Sequence, residues 1–441
     1  MKLTHTQVIT FTYFALILFG GFFLCLPIAS RTGEWTPPLD ALFTATSAAC
    51  VTGLVLYDTY AHWSVFGQMT LFVLFQIGGI GFMTVITMFS IFLKRKIGLY
   101  ERQVLVHSTG LLKLGGVVRL IKSIVLLSLC IELIGAVLLA LRFCPQMGVK
   151  SGIYNSIFHS VSAFCNSGFE LMGQYGQFSM LHGYIMDYPV CLTFILLIVT
   201  GGIGFIVLDD IRIHKFKFEN YSLHTKITLT VTGILILLGF VLINIFEYDG
   251  LLAGLSVKDK IIVSLFHSIN SRTAGFNAIN TAGLKEASVL LAMVFMFIGG
   301  SSGSTAGGIK TSTLAILVMS AVNSTRRVNK MLVFKRKLSD KTVKYASSIV
   351  TIYISAIITA AIIICAVEPV SIREALFECV SALGTAGPSL GITPALGYTA
   401  KTVIIVLMFS GRLGWITLLL AFAKKHIDPP FERPGEKILI G

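Results

Sequence analysis

A short segment that opens on phenylalanine and closes on glycine occurs four times in this chain. The copies run from Phe43 to Gly53, Phe158 to Gly168, Phe266 to Gly275 and Phe377 to Gly387. Their glycines lie 115, 107 and 112 residues apart, and the third copy is one residue shorter than the others. Repetition at a nearly fixed period sets the architecture before any local reading does. Each copy also has the same surroundings. Apolar runs precede it, near residues 8–28, 118–142, 227–246 and 346–367. Others follow it, near 66–92, 190–211, 288–322 and 401–423.

Such runs have the length of a membrane crossing, since about 20 apolar residues of helix span ~30 Å of hydrocarbon. The 441-residue chain is 55% hydrophobic and only 13% charged. Soluble domains carry about 25% charge. The runs are continuous rather than alternating, which excludes a β-barrel. The expected fold is an all-α integral membrane protein. It has four tandem units of helix, re-entrant loop and helix, giving eight transmembrane helices around a pseudo-fourfold central pore. The units are 1–95, 96–212, 213–330 and 331–425, followed by a cytoplasmic tail, 426–441. The first run exceeds the roughly 7–15 apolar residues of a signal peptide and reads as a retained helix.

The net charge of +14 is unevenly placed. Lys2, the loops 94–122, 212–226 and 326–344, and the tail from Lys424 hold 24 of the 35 Lys and Arg residues. This positive-inside bias puts both termini in the cytoplasm. The bases are not interleaved with aromatics, so nucleic acid is not an expected partner. Membrane lipid is. The eight cysteines form no Cys-x-x-Cys pair and read as small packing residues.

The repeated segments are too short to span. A ten-residue helix reaches halfway through the bilayer. Non-helical backbone at that depth survives only in protein or along a wet cavity. The helix end carries partial negative charge and favours a cation ahead of it. The closing glycines allow successive carbonyls to point inward. The expected filter and K+-binding residues are Val51, Thr52, Gly53, Asn166, Ser167, Gly168, Thr273, Ala274, Gly275, Thr385, Ala386 and Gly387. No carboxylate falls in these segments. Carbonyl ligands suit a weakly hydrated monovalent cation such as potassium.

The third following helix carries five glycines and three serines between Gly299 and Gly308. Both residue types are poor helix formers, so a break is expected there. A loop beneath the filter is a natural gate. The expected gate residues are Gly299, Gly300, Ser301, Ser302, Gly303, Ser304, Thr305, Gly307, Gly308, Lys310 and Arg412. Gly303 and Gly308 superficially suggest a phosphate-binding loop, but Ile309 spoils the spacing to Lys310. Arg412 is a charge at mid-membrane, costing at least ~3 kcal/mol unless paired or hydrated. Facing the pore, it forms an electrostatic barrier. Asp58 and Glu170 follow two filters closely and are read either as cation-attracting groups or as ordinary solvated loop. His159 and His267 match in position, but Thr44 and Glu378 fill the other two places, so helix packing is expected of them.

The chain resembles the Ktr/Trk/HKT superfamily of potassium transporters and channels, most closely the membrane subunit of bacterial Ktr systems. The segments that carry the resemblance are Cys50-Val51-Thr52-Gly53-Leu54, Arg272-Thr273-Ala274-Gly275-Phe276-Asn277, the run from Ile298 to Lys310, and Arg412. In that superfamily the four glycines form the potassium filter, and a serine at the first is associated with sodium transport in some plant members. The resemblance therefore implies potassium preference here. One departure is Pro388, where the family usually has leucine or phenylalanine. The resemblance also implies that the 298–310 loop is an intramembrane gate and that the pore subunit is a homodimer. It implies a separate cytosolic ring of nucleotide-binding, RCK-type subunits, which would carry any ATP or ADP. Potassium is the transported ion and sodium a candidate activator.

The expected function is gated potassium uptake across a bacterial cytoplasmic membrane. The alternative is a proton- or sodium-coupled symporter, which ordinarily uses inverted repeats and buried carboxylates. An enzyme is not expected, since Asp209 and Asp210 are the one acidic pair in the helices and lie at a helix end beside basic residues.

Overall fold

The structure is a computed structural model. It describes residues 4–92, 98, 103–105, 116–176, 183–215, 217–276, 281–326, 332–334, 336–337 and 339–422. The tail, Asn277, much of the first and third basic loops, and the expected unit junctions near 95, 330 and 425 lie outside these residues.

The regular elements of the described chain are helices, apart from a two-residue ladder pairing Leu332–Val333 with Arg336–Lys337. One order of elements recurs four times. The first round is α1 (His5–Cys25), α2 (Pro38–Ala49), α3 (Val65–Ile80) and α4 (Phe82–Phe92). The second is α5 (Val117–Met147), α6 (Val149–Cys165), α7 (Tyr188–Ile203) and α8 (Phe205–His214). The third is α9 (Leu223–Phe246), α10 (Val257–Asn270), α11 (Glu286–Phe297) and α12 (Thr311–Thr325). The fourth is α13 (Asp340–Val367), α14 (Ile372–Gly384), α15 (Tyr398–Leu413) and α16 (Trp415–Phe422).

The opening helix of each round, α1, α5, α9 and α13, is long and apolar enough to cross a membrane. Their outer faces present Phe11, Phe19, Leu126, Leu133, Leu237 and Ile362. The interior carries the polar residues instead: Thr46, Ser47, Ser162, Ser268 and Ser381 are buried. An apolar exterior around a hydrogen-bonded polar interior is what a hydrocarbon solvent selects.

The following helices correct the sequence reading. Continuous helices were expected near 66–92, 190–211 and 401–423, but each is broken. Gly81, Gly204 and Gly414 adopt φ of 94°, 106° and 83° at the breaks. A right-handed helix cannot continue through such angles, which glycine alone adopts cheaply. The bend between α7 and α8 is 97°. The third round is broken more widely, with α11 ending at Phe297 and α12 starting at Thr311.

The rounds close on one another. α3 packs on α6, α7 on α10 and α11 on α14, and α15 returns to α2. The short helices thereby form the centre of the molecule. Phe43, Phe158, Phe266 and Phe377, which open the four repeated segments, are all buried there.

Candidate functional site

The four repeated segments leave their short helices by the same route. Val51, Asn166, Thr273 and Thr385 have φ of 58°, 56°, 68° and 46°. Each stands two residues before a closing glycine. Left-handed backbone at a non-glycine residue costs about 1–3 kcal/mol and persists only where surroundings impose it. Gly53, Gly168, Gly275 and Gly387 follow with φ of 89°, 70°, 81° and 93°.

These glycines meet. A Cβ placed on Gly53 would stand 2.7 Å from the Ser167 carbonyl oxygen and 3.1 Å from Gly168 Cα. One on Gly168 would stand 2.8 Å from Gly275. One on Gly387 would stand 2.6 Å from Gly275 Cα and 3.3 Å from Gly53 Cα, and would run into the Thr52 carbonyl oxygen. Residues hundreds of positions apart thus share one narrow space lined by backbone.

A buried polar side chain one helical turn after each phenylalanine holds the route in place. Ser47 Oγ accepts from Gly53 N at 3.1 Å, and Ser381 Oγ accepts from Gly387 N at 3.1 Å. Ser162 Oγ meets Ser167 Oγ at 2.8 Å and donates to the Phe169 carbonyl at 2.5 Å. Asn270 does this work in the third copy, accepting from Phe276 N at 2.9 Å and donating to its carbonyl. The backbone carbonyls of these residues receive Thr52 N, Ser167 N and Ala386 N five residues on, but Ala274 N only four residues on. A tighter turn absorbs the residue missing from the third copy. The sequence reading matched Thr44, His159, His267 and Glu378 just after the phenylalanines but did not single out this column three places further on. Alignment on phenylalanine exposes Ser, Ser, Asn, Ser.

The matching residues Thr44, His159, His267 and Glu378 do not form a ring of like ligands. Thr44 Oγ1 donates to its own helix at Asp40 O, 2.9 Å away. His159 Nδ1 lies 2.7 Å from Asn155 O, and its Nε2 accepts from Leu171 N at 3.1 Å. His159 therefore ties down the chain beyond Gly168. Glu378 does likewise in the fourth copy, accepting from Thr393 Oγ1. The reading of Asp58 and Glu170 as ordinary solvated loop does not hold. Both are buried. Asp58 caps the turn Thr59–His62, accepting from Tyr60 N at 3.0 Å and Ala61 N at 2.8 Å. Glu170 accepts from Met172 N at 2.6 Å.

The 298–310 loop lies against the same centre. A parallel bridge between Ile298 and Ile309 closes its neck. Ser301 N and Thr305 N donate to Gly202 O and Gly201 O at 3.0 and 3.3 Å, and Phe205 N donates to Gly303 O at 2.8 Å. Thr305 Oγ1 donates to Phe164 O at 3.1 Å. A Cβ on Gly307 would collide with the Thr385 side chain, which places the loop beside the fourth segment. Lys310 Nζ donates to Ala306 O at 2.7 Å. Arg412 donates to Thr305 O on the loop and to Gly78 O and Gly79 O, the last at 3.3 Å. Among the described residues its charge is met by carbonyls rather than by a carboxylate. Asp209 and Asp210 are tied to Arg212 and His214 at the end of α8.

Known proteins with similar sequences are transporters. A 38% identical relative, the "Potassium/sodium uptake protein NtpJ" of Enterococcus hirae, aligns with 100% of this chain and 98% of its own length. "Ktr system potassium uptake protein B" of Bacillus subtilis is 37% identical over 96% of this chain and 94% of its own. The solved potassium transporter TrkH of Vibrio parahaemolyticus matches 95% of this chain at a TM-score of 0.75 with 20% identity, covering 84% of that structure. That likeness establishes the fold of a multi-pass helical membrane protein. The sequence pattern of the TrkH family, described as cation transport proteins, matches residues 5–433. This chain belongs to the TrkH family of cation transport proteins, which are ion transporters and not enzymes.

Proposed function

We propose that the chain takes up potassium ions through one central pore made by its four units. The filter is the backbone of residues 51–53, 166–168, 273–275 and 385–387, whose carbonyls replace the hydration shell of the ion. The 299–308 loop, with Lys310 and Arg412, is the gate beneath it. The observation that carries this reading is the meeting of Gly53, Gly168, Gly275 and Gly387 in one backbone-lined space. The names of the potassium uptake relatives point to the same ion.

The setting follows from the family and the charge bias. The protein sits in a bacterial cytoplasmic membrane with both termini inside, as a homodimer. The Ktr relatives imply a separate regulatory component, here a cytosolic nucleotide-binding ring that carries any ATP or ADP, and sodium acts as an activator. The test is potassium and sodium uptake into liposomes by the parent, Gly53→Ser and Gly275→Ser. The serine variants are expected to admit sodium more readily. Equal selectivity in all three removes the filter assignment.

Coupled symport is the second reading. One observation favours it: Glu132, buried within α5, accepts from Gln76 Nε2 at 2.9 Å and forms no ion pair among the described residues. Uptake that scales with an imposed proton gradient, and stops doing so in Glu132→Gln, supports symport. Uptake indifferent to that gradient supports the pore.

A further inference from the structure

Arg272 immediately precedes the third filter segment, and its side chain reaches away from the filter toward the gate loop. Its guanidinium donates to Gly299 O at 3.4 Å. The residue is only 9% exposed, and its Nε is buried without a hydrogen-bond partner. It forms no ion pair among the described residues. A buried charge of this kind needs compensation. The carbonyl end of α10, just before it, supplies part, since a helix C-terminus favours a cation.

The rest lies in a cavity of about 20 Å³, lined by Arg272, Thr232, Gly202 and Gly300 among apolar side chains. Thr232 Oγ1 is also buried and unpartnered. Two orphaned polar groups of the third unit, one on α9 and one just beyond α10, thus face one small space. About 10–15 Å³ suffices for one water, provided it finds two or more polar partners. The cavity has both.

We propose that a single water bridges Arg272 Nε and Thr232 Oγ1, and that Arg272 is a positioning residue coupling the third filter segment to the gate loop. One arm of the guanidinium fixes Gly299, the first residue of the loop. The other is fixed to α9 through the water. Displacement of the loop then removes a hydrogen bond from the residue that starts the Thr273–Gly275 turn. Filter order and gate position are therefore linked on this side of the pore. This inference rests on the filter-and-gate reading above.

The full-length protein in liposomes tests it, with potassium and sodium flux measured for Arg272→Gln, Arg272→Lys and Thr232→Val beside Gly275→Ser. Arg272→Gln is expected to lower the potassium-over-sodium ratio about tenfold and to raise flux through the resting protein, the scale of a lost charge-assisted bond. Arg272→Lys keeps the charge and a donor for Gly299, and is expected to recover most of the ratio. Thr232→Val, which removes only the water's second partner, should shift the ratio by about threefold. A purely structural role would lower the yield of folded protein and leave the potassium-over-sodium ratio and the resting flux at the parental value. If Gly275→Ser alters selectivity while Arg272→Gln and Thr232→Val do not, the coupling is overturned and the filter stands. If Gly275→Ser is also silent, the filter reading itself fails. Should Arg272→Gln not fold, Thr232→Val and a high-resolution map of the parent decide. Water within hydrogen-bonding distance of both atoms supports the proposal, and a dry cavity overturns it.

Discussion

The first and third units end their short helices alike but break their following helices differently. Val51 and Thr273 both take left-handed backbone, and Gly53 and Gly275 follow at φ of 89° and 81°. Beyond them, the first unit breaks at the single residue Gly81, whereas the third opens into the loop between Phe297 and Thr311. The likeness has a physical cause. Segments that face one another across a shared space must present the same atoms at the same depth, so four copies hold one geometry. The difference has a cause too. On the proposed pore reading, a single axis needs only one obstruction, and the glycine breaks of the other units leave room for it. Gly201 and Gly202 offer their carbonyls to the loop, as do Gly78 and Gly79 to Arg412.

The largest expected effect tests the conserved half of this comparison. Gly387→Ala places a methyl 2.6 Å from Gly275 Cα at a φ of 93°. Backbone cannot step aside there. Potassium uptake should fall by about 100-fold or more, from strain and obstruction together. Gly391→Ala is the matched control. Its φ is 100°, but nothing lies within 4 Å of the added atom. Its uptake should stay within about twofold of the parent, since only local strain remains. Equal losses in the two variants would mean that backbone angle matters and the meeting point does not.

Next in size is the loop. Deletion of residues 299–308 should raise potassium flux in the resting protein by about tenfold or more, because the closed state loses its whole obstruction. Arg412→Gln should do so by a smaller factor, since it removes donors to Thr305 O, Gly78 O and Gly79 O but leaves the loop's bonds to Gly201 and Gly202. Resting flux unchanged by the deletion takes the gate role from the loop.

Much of this arrangement was legible in the sequence because it depends on periodic signals. Long apolar runs gave the opening helices, and the four glycines gave the special backbone, since few other residues tolerate those angles. The glycine-rich stretch gave the wide break after Phe297. Other features were hidden. Gly81, Gly204 and Gly414 sit in apolar runs whose hydropathy is unaffected by a kink, so only φ reveals the breaks. Asp58 and Glu170 look solvated in sequence because burial of a carboxylate depends on partners supplied by the fold. The Phe-plus-four column escaped because serine and asparagine differ by name while performing one task. Arg272 escaped because its partners, Gly299 and the cavity beside Thr232, come from other stretches of chain.

That column supplies an effect on selectivity rather than on resting flux. Asn270→Ala removes both bonds that hold Phe276, whereas Ser47→Ala removes one, to Gly53 N. A hydrogen bond contributes about 1 kcal/mol net. The potassium-over-sodium ratio should therefore fall roughly 30-fold in Asn270→Ala and about fivefold in Ser47→Ala. Equal ratios in the two variants would show that the shorter third copy needs no extra restraint.

The smallest effect separates two breaks that look alike. Gly81→Ala and Gly204→Ala both force alanine into positive φ, 94° and 106°. Both should lose stability by a similar ~1–3 kcal/mol. Their surroundings differ. The methyl on Gly81 meets only Thr84 Oγ1, at 3.7 Å. The methyl on Gly204 comes within 3.0 Å of Ser302 O and 3.4 Å of Gly303 O, both on the 298–310 loop. Pushed there, the loop loses the bond from Phe205 N to Gly303 O. Resting flux in Gly204→Ala should rise about threefold, the scale of a weakened hydrogen bond, and stay at the parental level in Gly81→Ala. Melting temperature and resting flux measured on the same preparations distinguish strain from displacement. A rise of equal size in both would mean that any softening of a following helix opens the path, and that the loop's contact with the second unit does not hold it shut.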